Sequence, residues 1–109
     1  FVNDVNIPDG TDMQSSQRFL KMWKIKNNGR IRWPAGSTLI FSGGDILRPY
    51  PPQYQQNTVI PTILPGEEAC ISVELCAPDT PGRHVSYFRL ASPEGIRFGD
   101  RLWCDIKVV

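Results

Sequence analysis

Apolar and polar residues alternate with a period of two along most of this chain, the pattern of strands with one buried and one wet face. In residues 18–27, Phe19, Trp23 and Ile25 fall on one side and Lys24 and Lys26 on the other. Lys21 shares the apolar parity and is expected at an edge, or with its amine snorkelling outward. In 69–77, Ala69, Ile71, Val73, Leu75 and Ala77 point inward, which turns Cys70, Ser72, Glu74 and Cys76 away. In 83–91, His84, Ser86, Phe88 and Leu90 alternate with Val85, Tyr87 and Arg89. In 101–109, Leu102, Cys104, Ile106 and Val108 alternate with Trp103, Asp105, Lys107 and Val109. Shorter strands are predicted at 2–7, 38–42 and 58–63.

Turn formers separate these runs: Pro8-Asp9-Gly10, Asn27-Asn28-Gly29, Pro34-Ala35-Gly36, Gly43-Gly44, Pro65-Gly66, Pro78 to Gly82, and Pro93-Glu94-Gly95. Their spacing leaves no room for a helix of ordinary length. The prediction is an all-β chain, a single domain over 1–109, built as an immunoglobulin-like sandwich of about seven antiparallel strands. The stretch 43–57, with three prolines and two tyrosines, reads as a long loop; loops of that length usually carry function.

Composition narrows the classes of function. Twelve Lys and Arg against eleven Asp and Glu leave a net charge of +1, which argues against nucleic-acid or acidic-membrane partners. The early basic residues Arg18, Lys21, Lys24, Lys26, Arg30 and Arg32 read as a wet strand face and the turn after it, with no base-stacking motif. No apolar run is long enough to insert in a membrane. Cys70 and Cys76, in one strand, would lie ~20 Å apart, beyond disulfide reach. One pair with Cys104 stays open, and free thiols in a reducing, cytoplasmic or nuclear compartment are favoured. The first residue is Phe1 rather than Met, so a fragment of a longer protein is expected.

The inventory for catalysis is thin. His84 is the sole histidine and sits on an inward parity, where a hydrogen-bonded structural role is favoured. The cysteines form no CxxC pair, and no phosphate loop, nucleophile elbow or HExxH is present. No catalytic residue, cofactor or metal site is assigned.

Two stretches are distinctive. One runs Phe19-Leu20-Lys21-Met22-Trp23-Lys24-Ile25-Lys26-Asn27-Asn28-Gly29, then Trp33-Pro34. The other runs Pro78 to Gly82, then Ser86-Tyr87-Phe88-Arg89-Leu90, Phe98-Gly99 and Leu102-Trp103-Cys104. With the opening Val5-x-Ile7-Pro8-Asp9-Gly10-Thr11, they resemble the FW ("four-tryptophan") domain of neighbour-of-BRCA-one type selective autophagy receptors, over nearly the whole chain. Trp23, Trp33 and Trp103 match three of the name-giving tryptophans, and Phe88 stands where another is expected. The long 43–57 loop suggests a fungal or otherwise divergent member.

The resemblance implies a non-catalytic module of a multidomain receptor that recognises cargo proteins, in the cytoplasm, for delivery through the autophagosome to the vacuole. In fungal relatives the cargo includes vacuolar hydrolases such as α-mannosidase, and a short peptide of the cargo is one form the contact could take. Trp23 and Trp33 are expected to be packing residues, Trp33 capping one end of the sandwich. Trp103 turns outward beside Asp105, with Tyr87 on the neighbouring strand, and the alternative is that the 43–57 loop folds over this face and covers it. Trp103, Tyr87 and Asp105, with the loop residues Asp45, Tyr50 and Tyr54, form the candidate partner surface: aromatics for apolar contact, acids for an amine or basic side chain. A passive spacer and a carbohydrate-binding module are the alternatives.

Overall fold

The structure, a computed structural model, describes residues 3–47 and 58–109. Among the described residues eight strands appear in chain order: β1 (Asn3–Asp4), β2 (Thr11–Met13), β3 (Arg18–Lys26), β4 (Thr38–Gly44), β5 (Thr58–Val59), β6 (Glu68–Cys76), β7 (Gly82–Ala91) and β8 (Arg97–Val108). They form a three-stranded sheet, β1-β3-β6, and a five-stranded sheet, β2-β8-β7-β4-β5. The all-β, immunoglobulin-like architecture predicted from alternation is what forms. Seven of the strands fall within or around the predicted ones. The additional one, β2, runs parallel to β8, with Thr11 opposite Ile106 and Met13 opposite Val108. Three residues are too few to show a period, so the alternation could not announce it.

The core lies where the inward parities predict. Trp23 packs against Phe88 with ring centroids 5.5 Å apart, and Phe41 meets the edge of Phe88 at 6.3 Å. Ile71, Leu75, Leu90, Leu102, Cys104 and Ile106 close around them. The Trp23 indole donates to the Trp103 carbonyl at 2.9 Å, a bond that ties the two sheets together. A buried Trp needs such an acceptor. Phe88 needs none, so an aromatic without a polar handle is tolerated beside it.

Lys21 corrects the sequence expectation. It neither sits at an edge nor snorkels: it is fully buried. Its ammonium group donates to Asp4 Oδ1, the Asn6 carbonyl and the Ile7 carbonyl, each at 2.8 Å. All three donors are used, which is what makes a buried cation tolerable. The arrangement also explains why the first strand stops at Asp4 instead of running to residue 7. The chain leaves the three-stranded sheet there and crosses to the other sheet as β2. Ile7 takes a positive φ of 47°, costly for a β-branched residue, and its carbonyl reaches the amine. The Asn6 side chain stands in for the lost strand partner, donating to the Leu20 carbonyl at 2.8 Å and accepting from the Met22 N–H at 2.9 Å.

Candidate functional site

The outer face of the five-stranded sheet carries most of the surface suggested by the sequence. Tyr87 and Trp103 are direct cross-strand partners on β7 and β8. Beneath Tyr87 lies Gly44, at a φ of 76°, where an added Cβ would come within 2.3 Å of the Val85 carbonyl and 2.9 Å of the Tyr87 ring. Over the ring sits the Arg101 guanidinium, 4.2 Å from its centroid. The ring is therefore crowded by Gly44 and stacked under Arg101. Trp103 is half-buried, and its indole N–H donates to Asp9 at 3.1 Å.

The acids behave differently from one another. Asp105 has the outward parity yet is buried, because Arg83 covers it. The Arg83 Nη2 donates to Asp105 Oδ2 at 2.7 Å and its Nε lies 3.2 Å from both oxygens, which raises the already high guanidinium pKa. The Asp105 carboxylate, expected to meet a partner's amine, is engaged by Arg83 in this structure and holds Arg83 in place. Asp45 is exposed just past β4, and its Oδ2 accepts from the Val85 N–H at 3.1 Å. His84, only partly buried, lies 3.5 Å from that oxygen through Nδ1 and pairs through Nε2 with the Thr80 carbonyl at 2.8 Å. Tyr50 and Tyr54 lie outside the described residues. Cys70, Cys76 and Cys104 are free thiols, and burial pushes the Cys104 thiol up to about 12.

Sequence reasoning missed a second concave feature, a cleft of about 390 Å³ between the β3–β4 connection and the β7–β8 hairpin. Ile25, Leu90 and Leu102 are buried residues that line it. Trp33 and Phe98 pack on each other there at 6.0 Å, so Trp33 does cap part of the sandwich. Ile31 and Ile96 also line it, and they are 75% and 67% exposed. Each is held by its local turn. Buried Asn27 donates to the Ile31 and Ile63 carbonyls at 2.9 and 3.2 Å and accepts from the Gly29 N–H at 3.0 Å. Ser92 accepts from the Ile96 N–H through its hydroxyl at 3.1 Å and donates its own N–H to the Ile96 carbonyl at 2.9 Å. A signal for this cleft was present in the sequence: Ile31-Arg32-Trp33 and Ile96-Arg97-Phe98 share an Ile-Arg-aromatic pattern, each following a turn.

Comparison with known proteins agrees with this architecture. The model of the "Ig-like domain from next to BRCA1 gene" family matches residues 6–108. The chain is 42% identical to Protein JOKA2 of Solanum tuberosum, covering 99% of this chain and 12% of that protein. It is 36% identical to the NBR1 homolog of Arabidopsis thaliana, over 99% of this chain and 15% of the relative. Identity to the human Next to BRCA1 gene 1 protein is also 36%, over 96% of this chain and 11% of the relative. The chain thus corresponds to a small part of each of these proteins. It belongs to the family of Ig-like domains from next to BRCA1 gene proteins.

Proposed function

We propose that this domain is a non-catalytic recognition module of a selective autophagy receptor, binding cargo proteins in the cytoplasm. The observation that carries the reading is the Tyr87–Trp103 pair on an outer sheet face. Aromatic side chains whose positions are fixed before binding lose little entropy on contact and often supply the central energy of a protein interface. Gly44, Arg101 and Asp9 fix these two. Family membership supports a receptor setting. The cargo expected from the resemblance is a vacuolar hydrolase of the α-mannosidase type, recognised through a short peptide and carried by the autophagosome to the vacuole. A fungal source is supported by the length of the 43–57 stretch alone.

The test is capture of purified α-mannosidase-type hydrolase by the immobilised domain. Tyr87→Ala and Trp103→Ala should each reduce capture at least tenfold while the circular-dichroism spectrum stays β-rich. Trp103→Phe, which keeps an apolar ring and loses the bond to Asp9, should fall between. Folded variants that capture as well as the parent would remove this face from the proposal.

A further inference from the structure

We infer that the cleft between the β3–β4 connection and the β7–β8 hairpin is a second docking site, which takes an apolar side chain of a partner polypeptide segment flanked by acidic residues. The inference rests on the reading of this chain as a protein-recognition domain and not on the Tyr87–Trp103 face.

Shape gives the apolar half of the argument. A floor of Ile25, Leu90 and Leu102 and a wall of Trp33 and Phe98 offer hydrocarbon to a volume of about 390 Å³. That is the lower range of ligand pockets, enough for one or two large side chains and too little for a folded element. Ile31 and Ile96 could lose exposed area by folding inward, but the hydrogen bonds of Asn27 and Ser92 hold their backbones in the turns. The two sides also approach closely: a Cβ at Gly36 would meet the Pro93 ring at 3.2 Å. Two large apolar side chains kept in water at the mouth of an apolar cleft are the usual mark of an interaction surface.

Charge gives the rest. Lys26 and Arg32 line the cleft, Arg30 precedes Ile31, and Arg97 follows Ile96. All four are exposed, and none forms an ion pair among the described residues. Against them stand Glu94 and Asp100 in the lining and Glu68 opposite Lys26 across the β3–β6 ladder; Asp100 has a partner of its own and Glu68 is paired with Lys24. Three cations elsewhere are placed against acids, Lys21 on Asp4, Lys24 on Glu68 and Arg83 on Asp105, while Arg89 meets the Gly99 carbonyl and Arg101 the Tyr87 ring. Around the cleft four cations are left to one uncommitted acid, so an incoming segment gains most if it brings carboxylates on both sides of its apolar residue.

The experiment uses three fluorescein-labelled peptides: Asp-Glu-Leu-Phe-Asp-Glu, Lys-Lys-Leu-Phe-Lys-Lys and Asp-Glu-Ser-Ser-Asp-Glu. Titration into the isotope-labelled domain, read by amide shifts and by fluorescence anisotropy, should show the first binding at least tenfold more tightly than the other two. Shifts should concentrate at residues 26–34 and 92–100. Ile31→Asp with Ile96→Asp, and separately Arg32→Glu with Arg97→Glu, should each weaken binding at least tenfold. The second pair should also flatten the dependence on salt. Tyr87→Ala should leave this binding unchanged. Equal affinity for the acidic and basic peptides, no measurable binding of the first, or shifts confined to Tyr87, Trp103 and their neighbours would overturn the inference. The last two results leave the hydrolase-capture test of the sheet face to stand or fall separately.

Discussion

Two regions of this domain contain the same kinds of residue and use them in opposite ways. Around the N-terminal crossing, Lys21 is spent on Asp4 and two carbonyls, Arg83 on Asp105, and the Trp103 indole on Asp9. Around the cleft, Arg30, Arg32 and Arg97 make no ion pair among the described residues, and Ile31 and Ile96 stay in water. The first region shows how a small sandwich holds a chain segment that passes between its sheets, where strand pairing cannot help. The second shows local turns keeping groups available at some loss of burial. Substitutions in the first region should therefore change stability, and those at the exposed cations and isoleucines of the second should change binding with little effect on stability.

The largest effect should come from Lys21→Ala. Removing the cation leaves the Asp4 carboxylate and the Asn6 and Ile7 carbonyls without their shared donor, and breaking such a buried pair costs about 3–5 kcal/mol. Urea unfolding would measure it directly. Cys104 gives a second readout, because it is fully buried in the parent while Cys70 is exposed. At neutral pH Cys70 should react at once with a thiol reagent and Cys104 only through unfolding. Lys21→Ala should speed Cys104 labelling by on the order of a hundredfold or more, at 1.4 kcal/mol per tenfold. A change below about 1 kcal/mol would mean that the crossing is held by something other than this amine.

Burial of Cys104 also sets an alkaline limit. Its folded pKa of about 12 exceeds the ordinary 9.0, so the folded state holds this proton more tightly than the unfolded chain does. The resulting stability is complete below pH 9.0 and declines as pH rises through about 12. Replacing the thiol by a group that does not titrate, in Cys104→Ala, should lower stability at pH 7 through the lost packing and flatten the fall above pH 9.0. Unfolding curves at pH 7, 9 and 10.5 would check the slope.

What the sequence revealed follows from which interactions are periodic. Alternation located the inward faces of β3, β6, β7 and β8 because half-buried strands must repeat every two residues. It placed Tyr87 and Trp103 side by side because both strands are long and neighbouring. It misjudged Lys21 and Asp105 for a shared reason. Parity says which way a side chain leaves the sheet, not what waits there, and here Asp4 and Arg83 come from elsewhere in the chain to meet them. The cleft escaped because its exposed residues lie in turns, where no period applies. The repeated Ile-Arg-aromatic triplet becomes meaningful once Trp33 and Phe98 are seen to touch.

A smaller effect is expected at Asp9. Its carboxylate accepts the Trp103 indole N–H at 3.1 and 3.3 Å in a partly solvated position, so Asp9→Ala should cost about 1 kcal/mol. Loss of the bond should also loosen the indole. Its fluorescence should become more accessible to acrylamide, and capture of hydrolase should weaken even though Asp9 need not touch the partner. Unchanged quenching would show that strand packing alone positions Trp103.

The smallest effect on stability is expected at the cleft, and it is the sharpest check on the contrast between the regions. Ile31 is 75% exposed and its backbone is held by Asn27, whose bonds do not depend on the isoleucine side chain. Ile31→Asp should shift stability by no more than about 0.5 kcal/mol, the range of ordinary surface substitutions. The buried support of the cleft is less tolerant, and Asn27→Ala supplies the control. That change removes two donated bonds and one accepted bond from a buried side chain, so it should cost about 2 kcal/mol and release the turn that carries Ile31. Thermal unfolding of both variants separates support from surface. If Ile31→Asp proved as costly as Asn27→Ala, the isoleucine would belong to the core, and the mouth of the cleft would be packing instead of a place held open for a partner.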